Sequence, residues 1–256
     1  MEESWRVIHK LGLNLFIMEV KRFHGKIGED YELFKLACPH FDDLQNTIGK
    51  TIKDYFKKAN EKEINVLEIG CGPGYTTEII LNSDKRTKVF AVDNEPVMIS
   101  KAKIVLNNFI KNNRVKLIEA DALEFLKKQN SNFFDAFASG FTLHNFHKDY
   151  RRKVLEEIYR VLKPESIFVN GDIYALDNDK EYKKSLEWQM QEFRKLCFKI
   201  DRYDLLEEWT RHCEEDYKPE VIMKEGEAIK LMKEIGFKNI ELVFRKYTKA
   251  VLFARK

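Results

Sequence analysis

Cysteine pairs, long apolar runs and flexible linkers are all scarce in this chain. Its four cysteines, Cys38, Cys71, Cys197 and Cys213, form no C-x-x-C pair, so neither a redox motif nor a thiolate zinc cluster is expected. The opening, MEESWRVIHK, is acidic where a secretory leader would be basic, and free thiols in a reducing cytoplasm are the expected setting. The most apolar N-terminal run, LGLNLFIMEV, is interrupted by Asn14. At about ten residues it is roughly half of a bilayer span, which suits a buried or cap helix and no membrane partner. Five prolines, with no Pro/Gly-rich tract, internal repeat or low-complexity stretch, leave no linker to divide the chain.

Charge of one sign is scarce as well. Lys and Arg number 45 against 42 Asp and Glu, a formal net charge of +3, too mild to demand nucleic acid as a partner. The most basic stretch, KAKIVLNNFIKNNRVK from Lys101 to Lys116, reads as a helix with a solvated lysine face running into a strand. What is present is a 256-residue chain with 44% hydrophobic residues, enough for one large domain and a modest appendage.

From residue 64 onward, short β-branched apolar runs alternate with helical patterns, the mark of βαβ units and a parallel sheet. Strands are expected at INVLEI, KVFAVD, RVKLIEA, FDAFASG and SIFVNGDI. Crossover helices are expected at EPVMISKAKIVLNNFI and KDYRRKVLEEIYRVLK, with Pro96 near the start of the first and Pro164 after the second. The ending, EGEAIKLMKEIGF followed by NIELVFRK and KAVLFARK, predicts a helix capped by Gly236 and then a hairpin, because so short a break cannot hold a parallel crossover. The fold expected is α/β, a doubly wound seven-stranded sheet, mostly parallel with an antiparallel last strand. Residues 1–60 are expected to form an N-terminal helical cap, in which Leu44, Ile48, Ile52 and Phe56 recur every four positions. Residues 61–256 then form the main domain, with residues 176–220 as a helical insert. Both additions are rich in aromatics, among them Phe41, Trp188 and Phe193, and the insert is expected to act as a lid.

Glycine is also rare, at 11 residues, yet Gly70, Gly72 and Gly74 stand at alternate positions directly after VLEI. A strand that turns sharply into a helix while its backbone admits a ligand needs residues without a Cβ. The following helix, from near Tyr75, presents free N–H groups and a positive dipole end. KVFAVD ends in Asp93, at about the 20-residue separation that sets an acid against a ribose hydroxyl pair. EADALEF and FDAFASGFTLHNF end on the same carboxyl edge, where open α/β sheets bind ligands.

Together VLEIGCGPG, AVDNEPVM, EADALEF, FDAFASGFTLHNF and EIYRVLKPESIFVNGD resemble the ordered motifs of the class I, Rossmann-like S-adenosylmethionine-dependent methyltransferases over residues 64 to about 175. The resemblance implies S-adenosyl-L-methionine as cofactor and S-adenosyl-L-homocysteine as product. It implies that Glu68, Gly70, Cys71, Gly72 and Gly74 surround the methionine part, with Cys71 a small filler and not a nucleophile. Asp93 would hold the ribose hydroxyls beside Asn94 and Met98. Asp121 and Ala122 would meet the adenine, and Ser139 and Phe141 would border the sulfonium. A nicotinamide dinucleotide enzyme is the competitor, but its G-x-G-x-x-G spacing is not the one here.

Methyl transfer needs positioning and water exclusion more than a dedicated base. Where the acceptor must lose a proton, His144 and His147 in FTLHNFHKDY are the candidate catalytic residues. No clustered ligand set for a metal is legible. AVDNEPVM, FTLHNF and the insert are also similar to carboxy-S-adenosylmethionine synthases of the tRNA wobble-uridine pathway, with Arg202 or Arg211 as a candidate for the carboxylate, although that family has serine where Gly72 stands. The expected partner is a small-molecule methyl acceptor. A tRNA or protein substrate and a non-catalytic cofactor-binding role are the alternatives, and a homodimer is compatible with the sequence.

Overall fold

The computed structural model describes Lys35 and residues 38–204, 206, 210, 214 and 216–256. Arg211 and Cys213, both weighed from sequence, and most of the expected N-terminal cap before residue 38 lie outside the described residues. The elements run α1 (Phe41–Phe56), β1 (Ile64–Ile69), α2 (Tyr75–Ser83), β2 (Thr87–Asp93), α3 (Pro96–Val105), α4 (Asn107–Lys111), β3 (Val115–Glu119), α5 (Ala122–Lys127), β4 (Phe134–Gly140), a 3-10 turn (Leu143–Asn145), α6 (Lys148–Val161), β5 (Leu162–Ile173), α7 (Asp179–Lys199), α8 (Glu225–Ile235), β6 (Lys238–Lys246) and β7 (Lys249–Arg255).

The strands form one seven-stranded sheet in the order β3-β2-β1-β4-β5-β7-β6. β1 to β5 pair in parallel, and β7 runs antiparallel to both β5 and β6, the mixed Rossmann-like arrangement expected. Strand order reverses between β1 and β4, which makes their carboxyl ends the point where loops diverge and a crevice opens. Val66 and Leu67 show why the central strands are continuous apolar runs. Both are fully buried, Val66 with Ile48, Ile80 and Ala136 on one face and Leu67 with Phe137, Val154 and Leu252 on the other.

One expected crossover helix is two. At Leu106 the backbone flattens to φ −95°, ψ 10°, which ends α3 and starts α4. Leu106 is buried and lies where a Cβ on Gly74 would be only 3.0 Å from its Cδ1, so packing against the glycine turn overrides helical continuity. β5 begins four residues ahead of SIFVNGDI, with its register against β4 shifted between Phe134 and Ala136.

Helix α1 lies flat on the sheet. Leu44, Ile48 and Ile52 are completely buried, each stabilising the fold by about 1.5–3 kcal/mol. Arg86 secures its end, donating to the carbonyls of Phe56 at 2.8 Å and Ala59 at 2.6 Å. Among the described residues no helix is long and apolar enough to cross a membrane. The floor under α1 is Gly171 of β5, where an added Cβ would come within 2.5 Å of Leu44 Cδ2 and 2.6 Å of Ile48 Cδ1. Gly171→Ala is therefore expected to lower stability by roughly 1–3 kcal/mol through overpacking, measured as a shift of the urea midpoint at constant slope.

Candidate functional site

The turn out of β1 is pinned to the end of β2. Gly70 N–H donates to Val92 O at 2.7 Å, and Gly72 N–H donates to Asp93 Oδ2 at 2.8 Å. The other oxygen of Asp93 accepts from Glu95 N–H at 2.9 Å, so one half-buried carboxylate joins the glycine loop to the start of α3. Burial raises its pKa from the ordinary range against these two N–H bonds, and Glu95 adds to the rise.

Two of the glycines differ in what they spare. At Gly70, with φ +70°, a Cβ would collide with Thr142 at 2.2 Å, whereas at Gly72, with φ +51°, it would meet nothing within 4 Å. Gly70 lets the loop after β4 close against the turn, with Thr142 Oγ1 donating to the carbonyls of Gly70 and Gly140, each at 3.1 Å. Gly72 faces open space, where a ligand can approach the backbone and the N-terminus of α2.

Glu68 lies under this loop, fully buried. Thr77 Oγ1 donates to its Oε2 at 2.6 Å, while Oε1 has no hydrogen-bond partner. Burial pushes its carboxyl up to about 8 against the Thr77 bond, with Asp93 adding to the rise. Cys71 beside it is buried, and burial followed by the charges of Glu68 and Asp93 drives its thiol well above the ordinary range, which makes it inert.

The remaining expected residues fall into distinct places. Asn94 is exposed at the end of β2, and Met98 is buried in α3. Asp121 caps α5, accepting from Glu124 N–H at 2.8 Å through Oδ1 and from the Tyr150 hydroxyl at 2.6 Å through Oδ2; Ala122 is buried behind it. Ser139 is completely buried and its hydroxyl donates to Ile69 O at 2.8 Å, so it ties β4 to β1 at the reversal point. Phe141, at φ +54°, stacks on Phe41 of α1 at 5.5 Å and 5°, and Tyr75 meets Phe41 edge-on at 6.3 Å.

The two histidines are separated. His147 is exposed at the N-terminus of α6 and makes no side-chain cap. His144 is buried, and its Nδ1 lies 2.5 Å from Asp172 Oδ1. Sequence reasoning missed Asp172, Tyr150 and Thr142. Asp172 carried a signal, an acid inside an apolar strand, since such residues are seldom buried unless paired; Tyr150 carried none. Among the described residues no three His, Cys, Asp or Glu side chains gather as a metal-binding group.

Residues 66–165 match a family model described as methyltransferase domain. A demethylmenaquinone methyltransferase of Leptospira interrogans is 35% identical over 159 residues, 60% of this chain and 63% of that protein. A carboxy-S-adenosyl-L-methionine synthase of Vibrio atlanticus is 24% identical over 160 residues, 61% of this chain and 63% of that protein. The chain thus spans 63% of the length of these relatives. The crystal structure of a SAM-dependent methyltransferase from Aquifex aeolicus has the same fold, with a TM-score of 0.53 at 18% identity over 88% of this chain and 97% of that one. Residues 66–165 are thus similar to a methyltransferase domain, and the chain shares the Rossmann-like fold of a solved S-adenosylmethionine-dependent methyltransferase.

S-adenosylmethionine is the cofactor of that class, and the edge described here suits it. The orphaned Glu68 Oε1 and the open space at Gly72 suit the ammonium and the carboxylate of its zwitterionic amino-acid end, and Asp93 can accept from vicinal hydroxyls beside its two N–H donors.

Glu68 makes the free protein pH-sensitive. The folded chain keeps this proton up to about pH 8, whereas an unfolded chain loses it at about 4.3. Between these limits the unfolded state binds fewer protons, so stability falls as pH rises through that window. Glu68→Gln is expected to flatten the decline by an amount on the order of a few kcal/mol, read from urea unfolding at about pH 5 and about pH 8.

Proposed function

We propose that this chain transfers the methyl group of S-adenosylmethionine to a small-molecule acceptor, releasing S-adenosylhomocysteine, in a site roofed by α1 and α7. The observation that carries this reading is that both helices meet the carboxyl edge of the sheet, α1 beside the glycine turn and α7 where β6 passes into β7. Phe41 of α1 stacks on Phe141 after β4. From α7, Trp188 stacks on Tyr247 at 4.0 Å, and Gln189 accepts from the buried Lys249 ammonium at the first residue of β7. Such a roof favours a compact acceptor over a polymer lying across an open edge, and it excludes water from a reaction that depends on alignment.

Once bound, the cofactor supplies an electrophilic methyl group on a sulfonium. In this reading Asp93 and the Gly70–Gly74 turn orient it, Asp121 and Ala122 border its base, and Phe141 borders the acceptor. His144 takes the acceptor's proton where one must leave. His147, exposed at the start of α6, is a weaker candidate for that step.

The likeness to carboxy-S-adenosylmethionine synthase favours one second reading, conversion of the cofactor itself to a carboxylated form for tRNA modification. Mass spectrometry of the nucleoside product separates the two, since methyl transfer yields S-adenosylhomocysteine and the alternative a carboxylated sulfonium.

Calorimetric titration is the first test. S-adenosylmethionine and S-adenosylhomocysteine are expected to bind saturably and NAD not at all, and Asp93→Ala is expected to weaken both by about 1–3 kcal/mol. Binding of NAD alone would sink the cofactor assignment. With the cofactor established, transfer of labelled methyl to a panel of phenols, amines and carbon acids is expected to reveal the acceptor class, and a panel answered only by tRNA would overturn the small-molecule reading.

A further inference from the structure

Asp172 has no assigned role, yet it is the most heavily hydrogen-bonded carboxylate near the proposed site. It is completely buried near the carboxyl end of β5. Its Oδ1 lies 2.5 Å from His144 Nδ1 and accepts from Ile173 N–H at 2.9 Å. Its Oδ2 accepts from His144 N–H at 3.3 Å and from Asn170 Nδ2 at 3.2 Å. Burial alone would raise this carboxyl, but the His144 ring, the Ile173 N–H and the Asn170 amide hold it below the ordinary carboxylate range.

An ionised carboxylate only accepts hydrogen bonds, so the imidazole nitrogen facing it must carry the hydrogen. In the neutral ring the lone pair is then on Nε2, which makes no hydrogen bond to the described residues. The backbone around the ring is fixed from both sides. Two residues earlier, Thr142 touches the glycine turn at Gly70. On the far side Arg151 donates to the carbonyls of Leu143 at 2.8 Å, His144 at 3.3 Å and Phe146 at 2.7 Å.

We infer that Asp172 is a positioning residue for methyl transfer: it fixes His144 as the Nδ1–H tautomer and makes Nε2 the proton acceptor for a protic acceptor, a hydroxyl, amine or acidic C–H. The inference rests on the methyltransferase reading. The acceptor's bond to the methyl carbon forms as the carbon–sulfur bond breaks, its electron pair staying on sulfur. The acceptor's proton passes to Nε2, the imidazolium is held against the Asp172 carboxylate, and the proton leaves to water after the product departs.

The test uses the full chain labelled with 15N-histidine. The wild-type spectrum is expected to contain one ring protonated at Nδ1 and bare at Nε2, which His144→Ala removes and Asp172→Asn converts to the other tautomer or a mixture. Calorimetry with S-adenosylhomocysteine is expected to give affinities within about twofold for all three proteins. With the acceptor found by the labelled-methyl panel, Asp172→Asn is expected to lower kcat by at least about tenfold at nearly unchanged KM, and by no more than the roughly 10²–10⁴-fold that general-base catalysis contributes. His144→Ala should lose at least as much and the double variant no more, as for residues acting as a unit. An Nε2–H ring in the wild type, losses that multiply, or a fall in cofactor affinity matching the fall in turnover would overturn the assignment. Should Asp172→Asn not fold, His144→Gln, whose amide can still donate to Asp172, replaces it, and full turnover in that variant would also overturn it. Failure of S-adenosylmethionine to bind would remove the reaction while leaving the Nδ1–H tautomer in place, so the two failures are distinguishable.

Discussion

The hydrogen bond from Gly72 N–H to Asp93, 2.8 Å long, is the constraint on which the carboxyl edge depends. It draws the glycine turn toward the end of β2, and the same carboxylate holds Glu95 at the entry to α3. With the turn fixed there, the N-terminus of α2 has one direction to face, Gly70 is brought close enough to Thr142 that no Cβ fits, and the loop carrying His144 takes its position from that contact. The Ser139 hydroxyl on Ile69 O does the corresponding work between β1 and β4, where the loops must diverge for a crevice to exist.

Two carboxylates of equal burial lie in this region in opposite states, and the difference is the charge and the donors that each one faces. Glu68 has a single hydroxyl, from Thr77, and its second oxygen has none, so desolvation wins and the proton stays on to about pH 8. Asp172 faces the His144 ring, whose charge and hydrogen bond, with the Ile173 N–H and the Asn170 amide, outweigh desolvation, so its charge persists. An underprovided carboxyl at the base of the turn suits a group that awaits a cationic ligand. A fully provided one suits a group that must stay ionised and still throughout a reaction.

Much of this was legible in the sequence because periodicity reports burial. INVLEI and FDAFASG coincide with β1 and β4 to the residue, since strands covered on both faces read as near-continuous apolar runs. The short break before KAVLFARK forced the hairpin. What stayed hidden are contacts between residues distant in the chain. The break at Leu106 follows from Gly74, 32 positions earlier, and nothing in the local pattern encodes it. Tyr150 reaches Asp121 across 29 positions, and the tie between His144 and Asp172 spans 28. Ser139 sits at the edge its motif indicated, but only the structure reveals that its hydroxyl is taken by a backbone carbonyl.

The stacking of Phe41 on Phe141 links these layers. Phe141 holds a left-handed backbone, uncommon for a bulky side chain and tolerated only where surroundings over-determine it. Those surroundings are Phe41 stacked on its ring and Gly171 O accepting its N–H at 2.8 Å. Gly171 is also the floor beneath Leu44 and Ile48, so one residue of β5 supports both the helix that carries Phe41 and the backbone that carries Phe141. Asp172 follows it directly in the chain. The position of α1, the set of Phe141 and the carboxylate that faces His144 are thus fixed by two consecutive residues of one central strand, which couples the packing of α1 on the sheet to the setting of the proposed proton acceptor.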